Sequence, residues 1–139
     1  MRLFFLKVLC LVTGTLLLFA CAAVYEPAQE FKGAHQDFRQ RLRWADHSGA
    51  ARHIAPEFRE AFLQLFAGLP DLHPVDVRVE SVEFQDEGRR AETWTVLEYY
   101  LLPSLTVKKF RFRQEWAYVG GDRLHPGAWV ITTPFPSFP

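Results

Sequence analysis

The chain is poor in cysteine and has no excess of either charge. Its 139 residues include two cysteines, Cys10 and Cys21, and 16 basic residues against 16 acidic ones. Because Cys10 lies in an N-terminal apolar segment that we expect to be removed, no disulfide can form, and stability must come from a packed core. The aromatic content of 15% is enough to build such a core. The balanced charge, without a basic block, argues against nucleic acid as a partner.

The patterns of metal sites, phosphate loops and nucleophilic catalysis are missing as well. No HxxxH or HExxH motif occurs, and His47 and His53 are six positions apart, so we expect no zinc site. Gly120 and Gly121 are typical of a hairpin turn rather than of a Gly-rich phosphate loop. No serine lies in the context of a nucleophile elbow. We therefore predict no metal, no cofactor and no assigned catalytic residue, and favour a non-enzymatic role while leaving enzymatic activity open.

The N-terminal segment has the layout of a secretory signal. A positively charged start precedes an apolar run, and the small residue Ala20 comes directly before Cys21. With Leu18 three positions before the cysteine, the segment resembles the lipobox of bacterial lipoproteins, although Phe19 is bulkier than usual. The resemblance implies cleavage between Ala20 and Cys21. It also implies that Cys21 receives a diacylglycerol group and a further acyl chain of the palmitate class.

A transmembrane anchor and an ordinary secretory signal stay open as alternatives for this segment. A transmembrane anchor needs about 20 apolar residues, and the run from Val8 to Val24 is shorter and is interrupted at Thr13–Thr15. An ordinary secretory signal would be cut near Ala20 or Ala22–Ala23. If Cys21 is lipidated, two or three acyl chains make a stable anchor, at about 0.8 kcal/mol per buried CH₂ group.

The residue after Cys21 is Ala22 rather than aspartate. In enteric-type bacteria this resembles the pattern that is forwarded to the outer membrane. We therefore expect a lipid-anchored protein of the bacterial cell envelope, at the outer membrane and facing the periplasm. Pro27 is expected to discourage an early helix. The predicted division is a signal peptide at 1–20, a lipidated tether at 21–29, a single domain at 30–135 and an extended tail at 136–139.

Apolar periodicity predicts two main helices with a short one between them. The first runs from Phe31 to about Ala45, because apolar residues recur at steps of three and four. Ser48 is a candidate N-cap for a short helix over 49–54. The next helix begins at Pro56, in the position where its missing N–H costs nothing, and Gly68 suits a left-handed C-cap.

The hydrophobic period changes to two at Val75, which predicts strands. The apolar parity shifts near Ser81, and a β-bulge would account for the shift. Further strands are expected at about 90–102, 105–119 and 128–133, separated by turns at 86–88, 103–104 and 120–122. The proline-rich residues 134–139 are expected to run extended along the surface.

The strand predicted at 105–119 has two contrasting faces. One face carries Lys109, Arg111, Arg113 and Glu115, and the other carries Phe110, Phe112, Gln114, Trp116 and Tyr118. We expect the aromatic face to be core beneath the helices, with an apolar ligand pocket as the minority alternative. Gln114 is the exception on that face, since a buried amide needs hydrogen-bond partners.

Helices followed by antiparallel strands predict an α+β fold, with N-terminal helices packed on one face of a curved antiparallel sheet of about four strands. The segment from Arg43 to Pro56 and the ending Trp129–Thr132 resemble the helix junction and the final strand of the nuclear-transport-factor-2-like (cystatin-like) superfamily. The resemblance implies a conical pocket between helices and sheet. That superfamily uses the pocket for enzymes, for ligand binding and for dimerisation, so the fold alone does not select a function.

An enzyme of that superfamily would need an aspartate or histidine base inside the pocket. The candidate bases are His35, Asp37, Asp46 and His53, and the candidate proton donors are Tyr99, Tyr100 and Tyr118. We expect His35 and Asp37 to be solvated on the polar side of the first helix, and Asp46 to serve a turn or cap. If a pocket is present, its predicted lining residues are His53, Tyr99, Gln114 and Trp116.

Two functional hypotheses follow, and a structural lipoprotein with no dedicated small-molecule site stays open as a third. The first is a non-enzymatic, lipid-anchored binding or assembly module whose partner is another envelope protein or an apolar ligand, with Phe135 and Phe138 as exposed contact residues. The second is a small pocket enzyme or an apolar-ligand carrier, with His53 or Asp46 as the base. Besides the membrane reached through the lipid, a homodimer is left open.

Overall fold

Besides Met1, the computed structural model describes residues 26–122 and 124–138. The predicted signal segment, its cleavage site at Ala20 and the lipidated Cys21 lie outside these residues. The described chain consists of three helices followed by four strands and one short 3₁₀ turn, which confirms the predicted α+β class. No described helix is both long enough and apolar enough to cross a membrane.

Helix α1 spans Pro27–Arg43 and so begins inside the segment that was expected to be a tether. Pro27 stands in the first turn, where a helix has no partner for an N–H group, and the expectation that it discourages the helix is wrong. The buried side chains of α1 are Phe31, His35, Phe38 and Leu42. The prediction of a solvated His35 is therefore wrong, because its position completes the apolar stripe.

Two further helices follow. Helix α2 is short, His47–Ala51, and its N-cap is Asp46, whose carboxylate accepts a hydrogen bond from the Gly49 N–H at 2.9 Å. The capping role predicted for Asp46 is confirmed, and the cap predicted at Ser48 is wrong. Helix α3 spans Pro56–Ala67, with Pro56 in its first turn as predicted. Gly68 follows with a φ of −75°, so the predicted left-handed cap does not form.

Four antiparallel strands form one sheet in the order β1-β2-β3-β4. They span Leu72–Gln85, Arg90–Leu101, Lys108–Val119 and Ala128–Ile131, close to the predicted positions. The register of β1 against β2 shifts between Val79 and Ser81, which confirms the predicted bulge. The turn that joins these two strands, Asp86–Gly88, places Gly88 at a φ of 81°, a conformation that glycine adopts without steric cost.

The helices cover one face of the sheet, which we call the inner face. Alternate residues of β2 and β3 are buried there, including Leu97, Tyr99, Phe110, Phe112 and Trp116. The aromatic side of β3 is therefore core, as predicted. The other face of β3 carries ion pairs with the neighbouring strand β2, such as Arg113 with Glu92 at 2.7 Å, as expected for a solvated sheet surface.

The C-terminal segment 134–138 packs on the inner face. The Phe135 ring lies 4.9 Å from that of Phe112, and the Phe138 ring lies 4.7 Å from that of Phe110, centroid to centroid. Both rings are half-buried against the core. The expectation that they are exposed contact residues is wrong, because α3 leaves part of the aromatic sheet uncovered and burying apolar rings there is favourable.

Candidate functional site

Polar side chains lie at the centre of the inner face, where a small domain usually places hydrophobic ones. Thr93 and Thr95 on β2 are fully buried, and Gln114 on β3 is 1% exposed. His35 on α1 and Trp116 on β3 are buried beside them. We call these five side chains the polar row.

The backbone brings the members of the polar row together. Thr93 pairs directly with Gln114 across β2 and β3. Trp116 follows on the same face of β3, since side chains two apart on a strand share a face. The His35 ring on helix α1 packs edge-on against the Trp116 ring, with centroids 5.6 Å apart. The row therefore runs from the centre of the sheet to the underside of α1.

Six polar atoms of the row have no hydrogen-bond partner in the described part of the chain. They are His35 Nε2, Trp116 Nε1, Oγ1 of Thr93 and of Thr95, and both amide atoms of Gln114. A buried polar atom without a partner costs about 1–3 kcal/mol, and such atoms are few in native cores. The row thus has donors and acceptors available for a group that is not part of the described chain.

Aromatic rings surround the polar row. Phe31 and Phe38 approach the Trp116 ring at centroid separations of 5.5 and 5.7 Å, and Phe31 stacks on His35 at 5.1 Å. Burial, with a smaller contribution from the charge of Arg39, lowers the pKa of His35 to about 4. His35 is therefore neutral at pH 7 and has one donor and one acceptor nitrogen. Apolar walls with a few polar groups are the usual lining of a small-molecule site.

His53 borders the polar row but is committed to another contact. Its ring centroid lies 6.3 Å from that of Trp116, and its Nε2 atom lies 2.7 Å from Asp37 Oδ2. The side chain of His53 is mostly buried, whereas Asp37 remains partly exposed. The contact joins α1 to the segment after α2, which is a structural role.

The candidate bases Asp37 and Asp46 belong to one ion-pair cluster at the junction of α1 and α2. Arg41 donates to Asp37 at 2.7 Å and to Asp46 at 2.6 Å. The hydrogen bond from Arg41 lowers the pKa of Asp37, and the hydrogen bond from the Gly49 N–H lowers that of Asp46. A carboxyl with a lowered pKa is a weak base near neutral pH. Within the described ranges, no three His, Cys, Asp or Glu side chains are grouped to hold a metal ion.

The residues predicted to line a pocket fall in two places. Gln114 and Trp116 belong to the polar row, and His53 borders it. Tyr99 lies toward the other end of β2, where its ring contacts that of Phe138 at 5.2 Å. There it lines a separate apolar groove.

The sequence patterns did not reveal His35, Thr93 and Thr95 as members of a buried site. His35 stands four residues after Phe31 and three before Phe38, a helix-face spacing that could have assigned it to the buried stripe. The two threonines share the inner parity of β2 with Ala91. Threonine is common on both faces of strands, however, so its residue type carried no signal.

Comparison with known proteins leaves the family open. No family model matches the chain, and no curated protein matches it. Similar solved structures include a SEC-C motif containing protein from Rhodopseudomonas palustris, at 14% identity and a TM-score of 0.49 over 68% of each chain. Another is a putative polyketide cyclase from Xanthomonas campestris pv. campestris, at 15% identity and a TM-score of 0.47 over 80% of this chain and 93% of that one. With TM-scores below 0.5, neither similarity bears on the function of this protein.

Proposed function

We propose that this chain is a lipid-anchored protein of the bacterial cell envelope, and that its nuclear-transport-factor-2-like domain is a non-enzymatic binding module. The anchor is the acylated Cys21, and the domain faces the periplasm from the outer membrane. The ligand is a small, largely apolar molecule with a few polar groups, and it binds against the polar row.

The observation that carries the ligand proposal is the set of unpartnered polar atoms on side chains that are at least nine-tenths buried. Apolar residues of similar shape in their place would be neutral or stabilising. The polar row is therefore a cost to the ligand-free domain, and hydrogen bonds to a bound molecule would offset that cost. Natural proteins commonly give up stability in this way at functional sites.

Binding is favoured over proton-transfer catalysis by the state of the candidate bases. The carboxyls of Asp37 and Asp46 have lowered pKa values in their contacts with Arg41 and with the Gly49 N–H. His53 is bound to Asp37, and burial keeps His35 neutral with a pKa of about 4. A general base works best with a pKa near the working pH, and the two carboxyls and His35 do not meet that condition.

Replacing Gln114 by methionine is expected to stabilise the ligand-free protein and to abolish ligand retention. Methionine has a similar volume and no amide to leave unpartnered, so the free energy of unfolding should rise by about 1 kcal/mol. The full-length protein would be purified from its own membranes in detergent. Solvent extracts would be compared by mass spectrometry with a detergent blank. Stability would be measured by urea denaturation of both proteins after unfolding and refolding without ligand, because a bound ligand would itself raise the stability of the parent.

The matched control is Gln36→Met, the same substitution at an exposed position of α1, which should change neither stability nor small-molecule content. If Gln114→Met is instead less stable than the parent and retains the same small molecules, internal water satisfies the amide. That result would contradict the proposed ligand site.

Replacing Cys21 by serine is expected to prevent lipidation and processing. The protein should then accumulate at the mass of the full precursor, because the resemblance places cleavage directly before the modified cysteine. Intact mass after detergent extraction of membranes measures both effects. Cys10→Ser, which changes a cysteine within the predicted signal, should leave the mature mass unaltered. A Cys21→Ser protein that stays in the membrane fraction at the normal mature mass would refute the anchor.

A further inference from the structure

The described chain has an apolar groove of about 420 Å³ between the end of α3, the start of β1 and the end of β2. Four leucines line it together with Tyr99 and Phe138, namely Leu65, Leu69, Leu72 and Leu101. The polar side chains of its lining are Gln64 and Ser137, and no charged side chain lines it. Its volume is within the range of small-molecule sites, roughly 300–1,000 Å³.

The C-terminal segment already places an apolar group at one end of this groove. The Phe138 ring lies 4.7 Å from Phe110, 5.2 Å from Tyr99 and 5.6 Å from Phe66, centroid to centroid. Within the described residues, no hydrogen bond holds the chain from 134 to 138, and Thr133 makes the last one. The segment is therefore held by apolar contacts alone, and another apolar group could replace them.

We propose that this groove binds a linear fatty acyl chain, which takes the place of the Phe138 ring. The hydrocarbon would lie along the leucines, and its polar head would remain in water at the open side. The site is separate from the polar row, because Tyr99 and the nearest threonine of the row, Thr95, are four residues apart on β2, which is roughly 13 Å along a strand. The acyl site can therefore be correct or wrong independently of the ligand proposed for the polar row.

The lining favours a hydrocarbon over a peptide. A bound peptide must satisfy its backbone N–H and C=O groups, and Gln64 and Ser137 are the polar side chains available in the lining. The chain's own segment partly avoids this requirement, because Pro134 and Pro136 have no N–H group. A hydrocarbon chain has no such groups and gains from contact with aliphatic side chains.

The test uses the full-length protein in isolated membranes, which prevents metabolic attachment of the probe. The probe is palmitic acid carrying a diazirine in its chain, and photolabelled peptides are mapped by mass spectrometry. We expect labelling in the peptides that contain 64–72, 99–101 and 137–138, and competition by unlabelled palmitate. Leu65→Trp, which fills the groove, should reduce this labelling by roughly tenfold, equivalent to a loss of about 1.4 kcal/mol. Phe138→Ala, which vacates one end, should increase it.

Leu105→Trp is the matched control, because Leu105 is 74% exposed in the connection between β2 and β3. This variant should be labelled to the same extent as the parent. Three results would overturn the proposal. The first is equal labelling of Leu65→Trp and Leu105→Trp, and the second is labelling that unlabelled palmitate does not reduce. The third is stronger competition by the synthetic peptide Pro-Phe-Pro-Ser-Phe-Pro than by palmitate, which would assign the groove to a peptide. The competition experiments need no variant, so a misfolded variant leaves the test decisive.

Discussion

Trp116→Ala is expected to lower the free energy of unfolding by about 3–5 kcal/mol, the usual cost of removing a large aromatic side chain from a core. Trp116 is fully buried. Its ring contacts Phe31, His35 and Phe38 on α1 at centroid separations of 5.5, 5.6 and 5.7 Å. The cavity would lie between α1 and β3, so the substitution would weaken the packing of the helix on the sheet. The change in the free energy of unfolding is measured by urea denaturation of the full-length protein in detergent, with circular dichroism as the signal.

Trp44→Ala is the control, because Trp44 is 73% exposed at the end of α1. The same substitution there should change the free energy of unfolding by no more than about 0.5 kcal/mol. Similar losses in both variants would show that Trp116 does not anchor the helix to the sheet.

Lowering the pH from 6.5 to 4 is expected to reduce the free energy of unfolding by about 3 kcal/mol through His35. Burial, assisted by the charge of Arg39, lowers the pKa of His35 from 6.5 to about 4 in the folded protein. Between these values the unfolded chain binds a proton that the folded protein does not bind. Acid therefore lowers the free energy of unfolding throughout this interval. The loss due to His35 disappears only above pH 6.5, where neither the folded nor the unfolded chain binds the proton. Denaturation curves at several pH values measure the slope.

His35→Phe is the variant that isolates this effect, since phenylalanine keeps the stacking on Phe31 and the contact with Trp116 and has no proton to bind. Its stability should vary less with pH between 4 and 6.5. A residual slope of the same sign is expected from His47, whose half-buried ring stacks on Phe66 and has a lowered pKa because of burial. Asp37 and Asp46 have lowered pKa values and lose their contributions below pH 3.8. An unchanged slope in His35→Phe would contradict the assignment.

Local patterns predicted most of the fold. The period of 3.6 in α1 and α3, the period of two in the strands and the parity shift near Ser81 each report which side of an element is buried. The two faces of β3 followed from the same rule. Prediction was weaker at helix starts. Pro27 was expected to discourage a helix that it begins, and Ser48 was expected to be the N-cap of the short helix α2, because several neighbouring residues could have supplied the same turn chemistry.

The candidate sites were less predictable than the fold. Gln114 stood out in the sequence because it interrupts an aromatic face, and it lies in the polar row. His35 was assigned to the polar side of the first helix, although its spacing from Phe31 and Phe38 favoured the core. The segment containing Phe135 and Phe138 was assigned to the surface because its prolines cannot take part in a sheet. The same prolines do not prevent its aromatic rings from packing on the face of a sheet.

The order of the elements, the inner and outer sides of the strands and the predicted signal at Ala20–Cys21 all follow from the amino-acid sequence alone. These properties depend on residues that are near one another in the chain. Tertiary packing was needed to establish that His35 meets Trp116, that His53 binds Asp37 and that Phe138 closes one end of an apolar groove. Each of those contacts joins segments distant in sequence, and whether they meet depends on how the elements share a limited apolar surface.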